Sequence, residues 1–174
     1  MENPATQRHR RIESGREFNV YEFGPGELLK LPRHPRLMNL AFGDFRRKSE
    51  NDLAFLQKHF VDFLPSTAIV ELDGQWGIRQ QRVGGTPFFE RPRMTPGAHR
   101  LLSRSAALYR ETGRIPDLLN PGNVLWTAET DALFLIDTSV LGGSQKWPCG
   151  FWVSRFLARV LSDTIQRWLR SGFS

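Results

Sequence analysis

Apolar and polar positions along the chain fall into short extended segments punctuated by a few helical stretches. REFNVYEF and GELLKL are β-type segments separated by Gly24, Pro25 and Gly26, which is a hairpin signal. Over 41–63 the period changes. Leu53, Leu56, Phe60 and Phe63 recur every three or four positions, while FRRKSEND, Gln57 and Lys58 supply a polar face, so one amphipathic helix is expected there, closed by Pro65. TAIVEL and QWGIRQQRV then read as two strands around the tight-turn pair Asp73 and Gly74. The resulting order is strand, strand, helix, strand, strand.

Gly84, Gly85, Thr86 and Pro87 interrupt this pattern, and a change of lobe is expected near Gly84. RMTPGAHRLLSRSAALYRETG is helical over 97–111, with Gly113 as its stop. NVLW and ALFLID form a second type of hairpin around a polar turn at 128–131. The last segment, FWVSRFLARVLSDTIQRWLR, is a closing helix. It is expected to carry Phe156, Leu157, Val160, Leu161, Ile165, Trp168 and Leu169 on one side and Arg155, Arg159 and Arg170 elsewhere. Residues 1–10 are polar and unpatterned, a flexible tail. These elements imply an α+β protein with a sheet-rich part over 11–83 and a mainly helical part over 84–174.

With 174 residues, 40% of them hydrophobic and 24% charged, the chain has the make-up of a globular protein able to bury a core. No run approaches the roughly 18–20 apolar residues of a membrane-spanning helix, and MENPATQRHRR lacks the apolar stretch of a secretory signal, so a cytoplasmic location is expected. The single Cys149 excludes an intramolecular disulfide, and His9, His34, His59 and His99 have no metal-site spacing, so zinc chemistry is not expected. Lysine and arginine outnumber the acidic residues by 24 to 18, clustered in RHRR, FRRK and the last helix. That excess suits an anionic partner, be it nucleotide phosphate, nucleic acid or acidic lipid; equally, the clusters are solvated helix faces. Trp76, Trp126, Trp147, Trp152 and Trp168 mostly occupy apolar stripes, which favours core packing over base stacking. Phe151, Trp152 and Trp168 also make the closing helix a candidate surface for a protein partner.

Several residue patterns carry chemistry. The stretch IPDLLNPGNVLWTAETDALFLIDTS places Asn123 at the start of one strand and Asp137 at the end of the next, fourteen positions apart in sequence but brought together by a hairpin. Upstream, Lys30 lies in the strand LLKLP and Glu50 on the following helix, with Asp52 as a less favoured substitute. Ahead of both, the stretch 12–21, just before the first pair of strands, holds Gly15 and Val20.

Taken in this order, the parts resemble those of the protein-kinase and aminoglycoside-kinase superfamily. The stretch 12–21 is similar to the phosphate-covering loop GxGxxGxV, keeping Gly15 and Val20 but with Glu13 and Phe18 at the other glycine positions. The tract ending in Asp137 looks like the catalytic hairpin Asp-x-x-Pro-x-Asn of bacterial small-molecule kinases. The resemblance implies a small bilobal fold with a five-stranded antiparallel N-lobe and a truncated, mainly helical C-lobe, since only about 37 residues follow Asp137. It also implies ATP and magnesium, with Lys30 binding phosphates, Glu50 orienting Lys30, Asn123 and Asp137 holding metal, and Gln81 and Val83 meeting adenine through their backbone. The catalytic aspartate should fall at Leu118 by counting back from Asn123, whereas the nearby carboxylate is Asp117, with Ile115 and Pro116 where histidine and arginine are expected. Thr138 and Ser139 follow Asp137 in place of phenylalanine and glycine.

The shortness of the chain and the altered aspartate resemble the short bacterial kinase-like proteins assigned to the PhoP regulatory network. Three functions follow: a phosphotransferase with Asp117 as base and an acceptor that the sequence does not name; a kinase-like binding or regulatory module without turnover; or a basic adaptor for nucleic acid.

Overall fold

The computed structural model describes residues 10–14, 17–90, 94–142 and 148–172, for 14 and 148–153 the backbone only. It divides into two compact units. The first comprises the chain up to Glu50 together with Pro65–Val83, and the second comprises Asn51–Leu64 and the chain from Gly84 onward.

The first unit is built on a five-stranded antiparallel sheet. Its strands are β1 (Arg11–Ser14), β2 (Phe18–Gly24), β3 (Glu27–Pro32), β4 (Thr67–Leu72) and β5 (Gln75–Gln81), in the spatial order β1-β2-β3-β5-β4. The two expected hairpins are both present. At the β4–β5 turn Asp73 and Gly74 take φ 49° and 75°, the paired left-handed conformation whose twist matches that of the strands it joins. One face of the sheet buries Tyr21, Leu29 and Leu31 against Phe23, Val70 and Leu72. Full burial of each such side chain contributes about 1.5–3 kcal/mol. Strand β1 was not expected, because Ile12-Glu13-Ser14 is too short and too polar to show an alternation; it gains its place by edge pairing with β2.

The single helix expected over 41–63 is instead two helices and a 3₁₀ turn: α1 (Pro35–Phe42), α2 (Phe45–His59) and Val61–Phe63. Gly43 breaks the run with φ 74°. Asp44 restarts it, its Oδ1 accepting the Arg47 N–H at 3.0 Å, while Asn39 Oδ1 accepts the Phe45 N–H at 3.1 Å. Phe45 is buried among Phe18, Phe42 and Trp76, with ring centroids 5.5–5.6 Å away. Helix α1 buries no residue, and its Leu37 and Leu40 are 58% and 63% exposed.

In the second unit the later turns of α2 supply Phe55 and Leu56, and the position just after the helix supplies Phe60, to a core shared with α3 (Pro96–Thr112) and α4 (Pro148–Ser171). Helix α3 has the expected limits: Thr95 Oγ1 caps the Ala98 N–H at 3.1 Å, and the Gly113 N–H returns to the Tyr109 carbonyl at 2.8 Å. Helix α4 runs as expected, but two residues assigned to its apolar side are exposed, Phe156 by 65% and Val160 by 40%. Its buried stripe is Ala158, Leu161, Ser162 and Ile165. Phe156 and Val160 precede Leu161 by five and one positions, which at about 100° per residue turns them roughly 140° and 100° away from it. Trp168 is half-buried and stacks on Phe89 at 5.3 Å, whereas Trp147 and the side chains of Cys149, Phe151 and Trp152 lie outside the described residues.

The expected hairpin is β8 (Val124–Thr127) with β9 (Ala132–Leu135), extended by β6 (Thr86–Pro87) beside β8. A further pair, β7 (Arg114–Pro116) and β10 (Val140–Gly142), runs antiparallel. Three-residue strands leave no periodicity to read. Among the described residues, no helix is long and apolar enough to cross a membrane.

Candidate functional site

In the first unit, Lys30 occupies the central strand β3 directly between Val20 of β2 and Ile78 of β5. Paired residues of an antiparallel ladder share a face. Alternation then sends Leu29 and Leu31 into the core and leaves Lys30 half-buried on the opposite face with Val20 and Ile78. Val20 is also opposite Glu13, so the stretch likened to a phosphate loop is the β1–β2 hairpin; Gly15 lies outside the described residues.

Glu50 is exposed, and its Oε1 accepts from Arg46 Nε at 3.0 Å, while Arg46 Nη1 reaches Glu71 Oε2 at 3.2 Å. Hydrogen bonding to Glu50, and next to Glu71, raises the pKa of the Arg46 guanidinium. At the end of β5 the Gln81 N–H is taken up by the Ser66 carbonyl at 2.8 Å, and the Arg82 N–H by the Gly26 carbonyl at 2.8 Å. Val83, the last residue of this unit, is half-buried.

In the second unit, the stretch 117–139 is drawn into one cluster by hydrogen bonds. The Asp117 N–H donates to the Ser139 carbonyl at 3.0 Å, continuing the β7–β10 ladder. Asn123 is buried; its Nδ2 donates to the Asp117 carbonyl at 2.8 Å, and its own carbonyl accepts the Ile136 N–H at 3.0 Å. Asp117, Asn123 and Asp137, distant in sequence, are therefore neighbours in this unit. Two side-chain turns shape the intervening loop: Asp117 Oδ1 accepts the Leu119 N–H at 3.0 Å, and Asn120 Oδ1 the Gly122 N–H at 3.1 Å. Leu118, where spacing alone would put an aspartate, is 3% exposed and belongs to the core. Asp137 Oδ1 accepts the Ser139 N–H at 2.9 Å.

No protein-family model matches the sequence, and no curated protein is significantly similar to it. Solved structures are similar in fold. The Lpg2603 kinase of Legionella pneumophila, determined bound to IP6, superposes with a TM-score of 0.52 at 15% identity, covering 91% of this chain and 57% of that one. The PknI kinase domain of Mycobacterium tuberculosis gives 0.50 at 20% identity, covering 80% of this chain and 62% of that one. The chain has a protein-kinase-like fold. It spans less than two thirds of the length of either kinase structure.

The 117–139 cluster brings one amide and two carboxylate side chains into the same part of the second unit. The Asn123 amide spends its nitrogen on the Asp117 carbonyl and Asp137 spends Oδ1 on the Ser139 N–H, so Asn123 Oδ1 and Asp137 Oδ2 are the atoms that could hold a cation. Oxygen donors of this kind suit a hard cation that retains several waters. Sequence patterns did not single out Ile78, which flanks Lys30 on its face of the sheet, or Arg114, which is bonded to the buried Asp52. The register of β3 with β5 identifies the first. The second gave no signal, because an arginine opening a three-residue strand reads as an ordinary surface charge.

Proposed function

We propose that this chain binds ATP with magnesium and transfers its terminal phosphoryl group to a hydroxyl-bearing acceptor. The single observation that carries the proposal is the hydrogen-bonded convergence of Asp117, Asn123 and Asp137 within a kinase-like fold. Asn123 and Asp137 hold the metal, which when bound neutralises charge on the phosphates. Lys30 contributes its ammonium to the phosphates, and the half-buried Val20 supplies an apolar surface beside it. The Gln81 carbonyl and the backbone of Val83 meet adenine. Glu50 steadies Lys30 after leaving Arg46, an exchange that costs little because their exposed pair is screened by water. Asp117 accepts the hydroxyl proton as the new oxygen–phosphorus bond forms and the β–γ bridging oxygen departs.

One observation favours a second reading, a kinase-like regulatory module that binds nucleotide without turnover. The position expected by spacing to hold the base is the buried Leu118, and Asp117 already spends one oxygen on the Leu119 N–H.

Thermal unfolding tests nucleotide binding under both readings. Millimolar ATP with magnesium is expected to raise the melting temperature, and Lys30→Ala and Asp137→Ala are each expected to remove that increase. An unshifted wild-type transition refutes both. In that case salt-dependent binding to DNA or RNA would support the basic adaptor.

A further inference from the structure

A partly buried ion pair, Asp52 with Arg114, sits at the base of the 117–139 cluster. Asp52 is 5% exposed, and its two oxygens serve different strands. Oδ1 accepts from Arg114 Nη2 at 3.1 Å, at the start of β7, and Oδ2 accepts the N–H of Val140 at 3.2 Å, at the start of β10. The guanidinium also lies 4.1 Å from the centre of the Phe55 ring, one helical turn along α2 from Asp52. Arg114 is three residues before Asp117, and Val140 is three residues after Asp137. One carboxylate on α2 thus grips both strands that bracket the candidate metal and base residues.

Burying a carboxylate is costly, and well-packed apolar residues of similar volume commonly hold a helix on two strands at least as firmly. What an apolar contact lacks is direction. Two charge-assisted bonds from one carboxylate fix where β7 and β10 lie along α2, and hence where Asp117 and Asp137 sit relative to Asn123. We propose that Asp52 and Arg114 are a positioning pair for the magnesium end of the site, setting the separation of Asn123 and Asp137 without touching metal or nucleotide themselves. This rests on the nucleotide function proposed above.

The test is a magnesium titration at a fixed, saturating concentration of a nonhydrolysable ATP analogue, followed by melting temperature, with wild type beside Asp52→Asn. The substitution keeps shape and an oxygen acceptor but removes the charge. Expected is a magnesium half-saturation raised about tenfold or more, the usual scale for a lost outer partner of a metal ligand. Affinity for the metal-free nucleotide should stay within about twofold. An unchanged half-saturation in a variant that merely melts earlier would overturn the positioning role and leave the nucleotide function standing. No magnesium response in the wild type would remove both, and is distinguishable from that outcome. If Asp52→Asn alone does not fold, the double variant Asp52→Asn with Arg114→Gln removes both charges and leaves neither buried alone. A wild-type half-saturation in that variant would overturn the proposal equally.

Discussion

Gly142→Ala is expected to lower the stability of the protein by at least about 3 kcal/mol, read as a shift of the urea unfolding midpoint. Gly142 ends β10 at φ 86°, and an added Cβ would run into the carbonyl oxygen of Gly113, with Arg114 Cα 3.3 Å away. Neither obstacle is the end of a flexible side chain. Relief requires separating β10 from β7, which breaks the pairing of Gly142 with Arg114 and the bond from the Gly142 N–H to Ser154 Oγ at 2.9 Å. A left-handed backbone adds its own cost for a residue with a Cβ. Gly84→Ala is the control. Nothing lies within 4 Å of a Cβ there, and the expected change is within about 1 kcal/mol in either direction. A Gly142→Ala protein as stable as the control would show that β7 and β10 are not locked as described.

The largest kinetic effect is expected from Asp117→Asn. Asparagine can still accept the Leu119 N–H through its side-chain oxygen, so the turn that shapes the loop survives. The proton acceptor does not. Phosphate transfer or ATP hydrolysis is expected to fall by about 10²–10⁴-fold, with nucleotide affinity nearly unchanged. Equal turnover in both proteins would remove Asp117 from the chemistry. Nucleotide binding without turnover in either would favour the regulatory module.

Much of the fold was legible because its turns are written in the sequence. Asp73-Gly74 and Pro25-Gly26 sit between β-type segments, and each marks a hairpin in the structure. Gly113, the stop of α3, was equally plain, whereas the N-cap of that helix, Thr95, was not read from the sequence. What escaped was set by contacts rather than by period. The break between α1 and α2 depends on Asn39 and Asp44 meeting particular backbone N–H groups, whereas the apolar spacing of Leu53, Leu56, Phe60 and Phe63 says nothing about where the helix starts. Strands β7 and β10 have three residues each, and only their mutual pairing distinguishes them from loop.

The candidate site shows the same division. Asn123 and Asp137 were singled out by the resemblance of their tract to the catalytic hairpin of bacterial small-molecule kinases, and the hairpin between them is present. The one-residue displacement of Asp117 could not be interpreted by counting. In the structure Leu118 faces the core, and the loop between Asp117 and Asn123 is taken up by two side-chain turns. Asp52 stood in the sequence beside Glu50 as the weaker choice of carboxylate on the helix. Its place in the structure is with Arg114 and Val140, a role that no helical spacing encodes.

The most direct measurement is paramagnetic broadening of backbone amide signals when manganese replaces magnesium in the presence of a nonhydrolysable ATP analogue. Amides of Asn123, Asp137 and Thr138 should lose intensity at substoichiometric manganese, only with the nucleotide present, and Lys30→Ala should weaken the effect. Broadening that spares Asn123 and Asp137, or that develops equally without nucleotide, would contradict a metal–nucleotide site at these residues.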